Sequence, residues 1–316
     1  MLTAAMNTHI TSILDEARRA PSVLNSQPWR FRVCGNTIEV YLEKKYELEE
    51  VDPKGRLQVA SCGTLIAHLE KAVLKRGWTP KITFFPRFEE PDLVAFVEMN
   101  GLTKGSPQKA GPAKQRKDVQ ENGSLEKTDN PDVIAFLRKK IATLADGKQV
   151  GLVVHDDSVN QSIQTYLKNQ CGQKLKSEYF RKSVNLFLRI DEMDSKIPFE
   201  DEVLLSDRFF EDTLSDSGTD SGSSDNLFMI LTTGTDNRYE WARAGQVLGD
   251  IIMELRTWNN IGLMSLPIIS ADRCRTWLRN KLALSGYPQF VLKMQPVKPR
   301  EHIRKRPLNE LLKYGF

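Results

Sequence analysis

Two long helices carrying small residues constrain this fold more than anything else in the sequence. After Arg56 and as far as about Arg76, Leu57, Ala60, Leu65, Leu69, Ala72 and Val73 mark one side of a 3.6-residue period. Gly77 then fits the left-handed residue that ends a helix. From Arg238 to Asn259, Trp241, Val247, Leu248, Ile251, Ile252 and Leu255 form a second such face, and Gly262 stops it. Ala60 and Gly63 on the first helix, and Ala242, Ala244, Gly245 and Gly249 on the second, leave room for another backbone to come close. Strands follow each glycine stop. This reads as an α+β chain of two similar halves, residues 1–112 and 113–316, with the long helices packed together at the centre. A chance likeness between two α+β halves is the alternative.

The polar stretch that stands out is Ala20-Pro21-Ser22-Val23-Leu24-Asn25-Ser26-Gln27-Pro28-Trp29-Arg30-Phe31. It follows an amphipathic helix whose apolar Ile10, Ile13, Leu14 and Ala17 share one face. Pro21 and Pro28 restrict the turn between them, so Ser22, Asn25 and Gln27 can be held ready for a ligand. Each of these side chains can both donate and accept, a suitable set for the edge of a flat heterocycle. A helix-to-strand connection whose polar groups satisfy their own backbone is the competing reading.

Around it, strands are expected at 30–33 and 37–42, joined at Gly35-Asn36, and then at 81–85, 93–99, 149–154, 227–232 and 289–294. Helices are expected from Asn130 to Leu144, over 158–169 and 175–188, and from Asp272 to Leu284. Residues 100–127 read as an irregular crossing segment. Residues 214–226 can bury nothing and are expected to be a mobile insertion, with a lid over a pocket as the lesser reading.

Composition excludes more than it assigns. The 27% charged and 40% hydrophobic residues are those of a soluble globular chain, and no apolar run reaches a membrane span. Residues 1–7 lack the basic start and apolar core of a signal peptide. The four cysteines and four histidines are scattered, which argues against a disulfide framework or a metal site and makes a reducing cytoplasm the expectation. Net charge is +4, with ten Lys or Arg between Arg273 and Arg306 against Glu301 alone. A phosphate pocket, a nucleic-acid surface or a solvated face would each account for that run. A nucleic-acid role ranks last, because no aromatic platform is interleaved with the charges.

The string A-P-S-x-x-N-S-Q-P-W-x-F closely resembles the flavin loop of the FMN-dependent nitroreductase superfamily. Gly262-Leu263-Met264-Ser265-Leu266-Pro267-Ile268-Ile269-Ser270 is similar to that family's G-(I/L)-x-x-x-P-x-x-G segment, with Ser270 where glycine is usual. Arg304-Lys305-Arg306 resembles its closing basic pair, and Arg116-Lys117-Asp118 more distantly its other phosphate motif. The double length resembles the mycobacterial Acg-like branch, in which one chain is like a fused dimer that keeps one of two flavin sites.

The resemblance implies a nitroreductase-like fold with an internal pseudo-dimer. It implies FMN held by Ser22, Asn25, Gln27, Arg116, Pro267, Ile268, Ile269, Ser270, Arg304 and Arg306. It implies hydride transfer from NAD(P)H to a nitroaromatic or quinone-like acceptor, with the flavin carrying the chemistry and no catalytic side chain required. A flavin-sequestering protein with a covered pocket is the alternative. A monomer is expected, or else a homodimer, without nucleic-acid or membrane partners.

Overall fold

The computed structural model describes residues 4–46, 52–102, 131–155, 227–255, 261–265, 272–296 and 305–312. In chain order these form α1 (Ala4–Ala17), β1 (Trp29–Cys34), β2 (Thr37–Leu42), α2 (Arg56–Lys75), β3 (Trp78–Phe84), β4 (Leu93–Leu102), α3 (Pro131–Asp146), β5 (Gly151–His155) and β6 (Leu227–Thr233). Next come α4 (Arg238–Leu255), β7 (Ile261–Ser265), α5 (Asp272–Lys281), β8 (Tyr287–Pro296) and the short turn α6 (Leu308–Leu311). The chain is α+β, as expected. The expected helices over 158–169 and 175–188 and the insertion 214–226 lie outside the described residues.

There are two four-stranded sheets among the described residues, ordered β1-β2-β4-β3 and β5-β6-β8-β7, and every pairing within them is antiparallel. The order is the same in both. A register irregularity also recurs, at Val40/Tyr41 where β2 meets β4 and at Leu231/Thr232 where β6 meets β8. Strand β7 was not expected from the sequence. It pairs Ile261 with Pro296 through Ser265 with Leu292, so a neighbouring strand recruits a segment with little strand character of its own.

Helices α2 and α4 cross at the centre with their backbones in contact. A Cβ added to Gly245 would stand 2.6 Å from the Ala60 carbonyl carbon, and one added to Gly63 would stand 2.9 Å from the Gly245 Cα. At Gly249 it would meet the Ala67 Cβ at 2.8 Å. The small residues of the sequence are therefore a packing requirement. Every residue of α2 from Val59 to Leu69 is buried. Its neighbours build one core with Ile13, Leu14, Trp29, Phe31, Ile38, Val40 and Val97, to which α4 adds Trp241 and Ala242. Ala60 of α2 joins the other core, with Ile141, Met229, Leu231, Val247, Ile251, Phe290 and Leu292.

A polar network ties the two halves at one end of these helices. Asp52 Oδ2 accepts the Gln58 amide at 2.9 Å and so caps α2. Arg56 Nη1 donates to the Gln289 carbonyl at 2.7 Å. Burial, together with the nearby Arg275, pushes the Arg56 guanidinium down to about 10. Arg275 of α5 grips Asp236 with two bonds, Nη1 to Oδ2 at 2.9 Å and Nη2 to Oδ1 at 2.7 Å. Trp241 Nε1 also donates to Asp236 Oδ1, at 2.7 Å.

Gly245→Ala is expected to cost about 3 kcal/mol of unfolding free energy in a denaturant titration, because the obstructing atoms are backbone and cannot swing aside. Partial burial opposes the charge of Asp236, but the bonds from Arg275 and Trp241 outweigh it and hold the carboxyl down at about 2. That value lies below the ordinary aspartate range of about 3.9, so the stabilisation is present above that range and is lost as pH falls toward 2. Asp236→Asn should lower stability at neutral pH and flatten its fall between about pH 4 and pH 2, measured by denaturant unfolding across that range.

Candidate functional site

The stretch between α1 and β1 runs over residues 18–28 and lies against α2. Two hydroxyls of α2 hold it: Ser61 Oγ accepts the Val23 amide at 3.0 Å, and Thr64 Oγ1 donates to the Pro21 carbonyl at 2.6 Å. Within the loop, Ser22 Oγ accepts the Gln27 amide at 3.0 Å, and Gln27 Nε2 donates to the Asn25 carbonyl at 3.3 Å. Asn25 and Gln27 sit in the left-handed region, at φ 50 and φ 45. For non-glycine residues this costs about 1–2 kcal/mol each. Strain kept at two neighbouring polar residues is a mark of a functional turn, and it needs neighbours that enforce it.

Those neighbours come from the far end of the chain. Residues 305–312 lie along the outer edge of the first sheet, where Leu312 bridges Phe31 in parallel and Leu311 is fully buried in the first core. Lys305 Nζ donates to Asn25 Oδ1 at 2.8 Å and to the Ala20 carbonyl at 3.1 Å. The Arg306 amide donates to Gln27 Oε1 at 2.8 Å, and its Nη1 donates to the Gln27 carbonyl at 3.0 Å. Arg306 Nη2 meets Glu43 Oε2 at 3.1 Å, with both side chains buried. Arg18 Nη1 returns a bond to the Arg306 carbonyl at 2.9 Å.

Of the residues singled out from the sequence, Ser22, Asn25, Gln27 and Arg306 are thus brought into one cluster. The guanidinium of Arg306 faces Glu43 and the Gln27 carbonyl. Arg116, Pro267, Ile268, Ile269, Ser270 and Arg304 lie outside the described residues. Sequence reasoning missed Ser61, Thr64, Lys305 and Glu43. The signal for the first two was present: they are hydroxyls close to Gly63, the small residue where another backbone was expected to approach α2. Lys305 was overlooked between two arginines. Glu43 carried no sequence signal, because its role exists only once residues 305–312 fold back.

Among the described residues, the second sheet has no counterpart of this loop between α3 and β5. Between α3 and β5 there are only residues 147–150. The residues around Gly245 that correspond to Ser61 and Thr64 are Arg243 and Gln246. Arg243 Nη2 donates to the Lys148 carbonyl, and Gln246 Nε2 donates to Glu70 Oε2 at 2.7 Å. Lys148 Nζ pairs with Glu70 at 2.9 Å and Asp250 at 3.0 Å. An ion-pair cluster stands where the first half carries its loop.

Two buried polar atoms in the loop region have no partner among the described residues: Ser26 Oγ and Trp29 Nε1. Unpaired buried groups cost about 1–3 kcal/mol, and here they accompany the Asn25 amide and the Lys305 ammonium. This donor set suits a polar heterocycle joined to an anion. No group of His, Cys, Asp or Glu among the described residues could hold a metal ion. Burial pushes the Cys62 thiol up to about 12, with Arg238 opposing, so it is no nucleophile at neutral pH. No helix among the described residues is long and apolar enough to cross a membrane.

No protein-family profile matches the chain. Over 89 residues it is 40% identical to a Mycobacterium tuberculosis protein provisionally named an NAD(P)H nitroreductase, covering 26% of this chain and 26% of that relative. Over 91 residues it is 33% identical to a second such provisionally named protein of that organism, acg, covering 29% of this chain and 28% of the relative. Over 325 aligned residues it is 24% identical to an uncharacterized protein of the same organism, covering 94% of this chain and 90% of the relative. The two partial matches support a relation to the nitroreductase superfamily, although each spans only about a quarter of the named relative's length.

Asn25→Ala removes the Lys305 partner and places a residue less suited to φ 50 at that position. It should cost roughly 1–3 kcal/mol and speed proteolytic cleavage between residues 20 and 28, while the α2 core stays intact by circular dichroism.

Proposed function

We propose that the chain is an FMN-binding oxidoreductase of nitroreductase type, with one flavin site built from both of its similar halves. The reading rests above all on one observation: the loop at 20–28 and the basic segment at 305–306, which resemble two separate flavin motifs, meet in space through Lys305–Asn25 and Arg306–Gln27. The repeated sheet order and the mutual fit of α2 and α4 support an internal pseudo-dimer. The ion-pair cluster at Lys148 supports a single site.

In this reading Ser22, Asn25 and Gln27 hold the ring edge. Ile269 and Ser270, just after Pro267-Ile268, supply backbone N–H donors over the other part of the ring. Arg304 and Arg116 serve the phosphate, and Arg306 ties the phosphate end to the loop. A bound FMN would supply the redox chemistry between NAD(P)H and a nitroaromatic or quinone-like acceptor. The protein's part is to orient the ring, fix the phosphate and leave one face accessible. No acid, base or nucleophile of the chain is required. A reducing cytoplasm suits Cys34 and Cys62, which carry no disulfide.

The purified protein is expected to carry about one FMN per chain, since one loop of this kind is present among the described residues. NADPH should bleach the flavin, and a nitroaromatic or quinone should restore its colour. Two flavins per chain, or none after reconstitution with excess FMN, would contradict the reading. One bound flavin that NADPH leaves coloured would favour sequestration over turnover.

A further inference from the structure

We propose that Glu43 is a positioning residue of the candidate site, acting through Arg306 on Gln27. This rests on the flavin reading above only for what the loop finally binds. Glu43 follows β2, and its amide is fixed to the loop by donation to the Pro28 carbonyl at 2.8 Å. Its side chain is 9% exposed and that of Arg306 8%. Three cations face the carboxylate: Arg306 at 3.1 Å, Arg30 at 3.4 Å and Lys45 at 3.7 Å. Arg306 also has Glu310 at 3.8 Å, on the exposed side of the strap formed by residues 305–312. Among the described residues, Glu43 is the buried carboxylate that faces the guanidinium.

With that charge compensated, Arg306 clamps both ends of Gln27. Its amide takes the side-chain oxygen and its Nη1 takes the main-chain carbonyl. Ser22 Oγ holds the remaining backbone group, the Gln27 amide. A residue in a left-handed conformation is thereby pinned at its amide, its carbonyl and its side chain. Removing the Glu43 charge leaves the buried guanidinium with the more distant, exposed Glu310 in place of its close buried counter-ion, and deleting one partner of a buried ion pair is costly. The strap should then lose its seat and Gln27 its conformation.

The alternative is that Arg306 itself grips a phosphate and Glu43 merely competes for it. The two readings give opposite signs for one substitution. In Glu43→Gln, amide exchange should rise about tenfold or more at residues 22–27 and 305–306 and stay unchanged in the middle of α2. FMN and riboflavin, titrated separately, should both weaken by a similar factor, because the loop serves the part they share. In a Gln27→Ala background the Glu43→Gln effect on flavin affinity should shrink, as expected of residues acting along one chain of contacts. Unchanged exchange at 22–27 overturns the proposal, as does tighter FMN with unaltered riboflavin, or strictly additive losses in the double variant. A wild-type chain that binds neither flavin contradicts the preceding section instead, and the exchange measurement then decides the role of Glu43 alone.

Discussion

The approach of α2 to α4 at Gly63 and Gly245 is the constraint on which the rest depends. Backbone meets backbone there, so neither helix can rotate or slide without a clash. The fit is mutual, Gly63 against Ala242 and Gly245 against Ala60, and each helix packs on the strands of its own sheet. Each core then borrows from the other half: Trp241 and Ala242 enter the first, and Ala60 enters the second. Such a chain has its main contact surface at its middle, which lets residues 305–312 close on residues 18–28 although nearly the whole sequence lies between them.

The same helix positions do different work in the two halves. Beside Gly63 stand Ser61 and Thr64, small hydroxyls that accept and donate to a loop backbone. Beside Gly245 stand Arg243 and Gln246, long side chains that reach Lys148 and Glu70. Short hydroxyls leave space for eleven or so residues of loop, whereas long charged side chains fill it. Two sheets of the same strand order are in this way served by helices that differ in side-chain length beside their central glycines.

Much of the fold was legible because it depends on periodicity and on glycine. The central helices, the hairpin at Gly35 and the stop at Gly77 follow from local rules, and the structure puts Gly35 at φ 59 and Gly77 at φ 83. Strands were read short at the start of Trp78–Phe84, expected at 81–85, and at both ends of Tyr287–Pro296, expected at 289–294, because pairing partners extend strands past their apolar runs. Strand β7 was invisible for the same reason. At the site, the loop was legible as a proline-bracketed polar turn, and the left-handed Asn25 suits a residue type that tolerates it. What could not be read was the tertiary partnership. Nothing local tells that Glu43 compensates a cation 263 residues away, or that the middle residue of an Arg-Lys-Arg run reaches Asn25.

The central claim is that a single ligand site is organised by the loop at 22–27 and the strap at 305–306. The most direct measurement is the electron density of crystals grown with saturating FMN. The account predicts one flavin per chain, with its ring against Ser22, Asn25 and Gln27 and nothing bound beside residues 147–150. A flavin seated at Lys148 and Arg243, or one that makes no contact with residues 22–27, would contradict it.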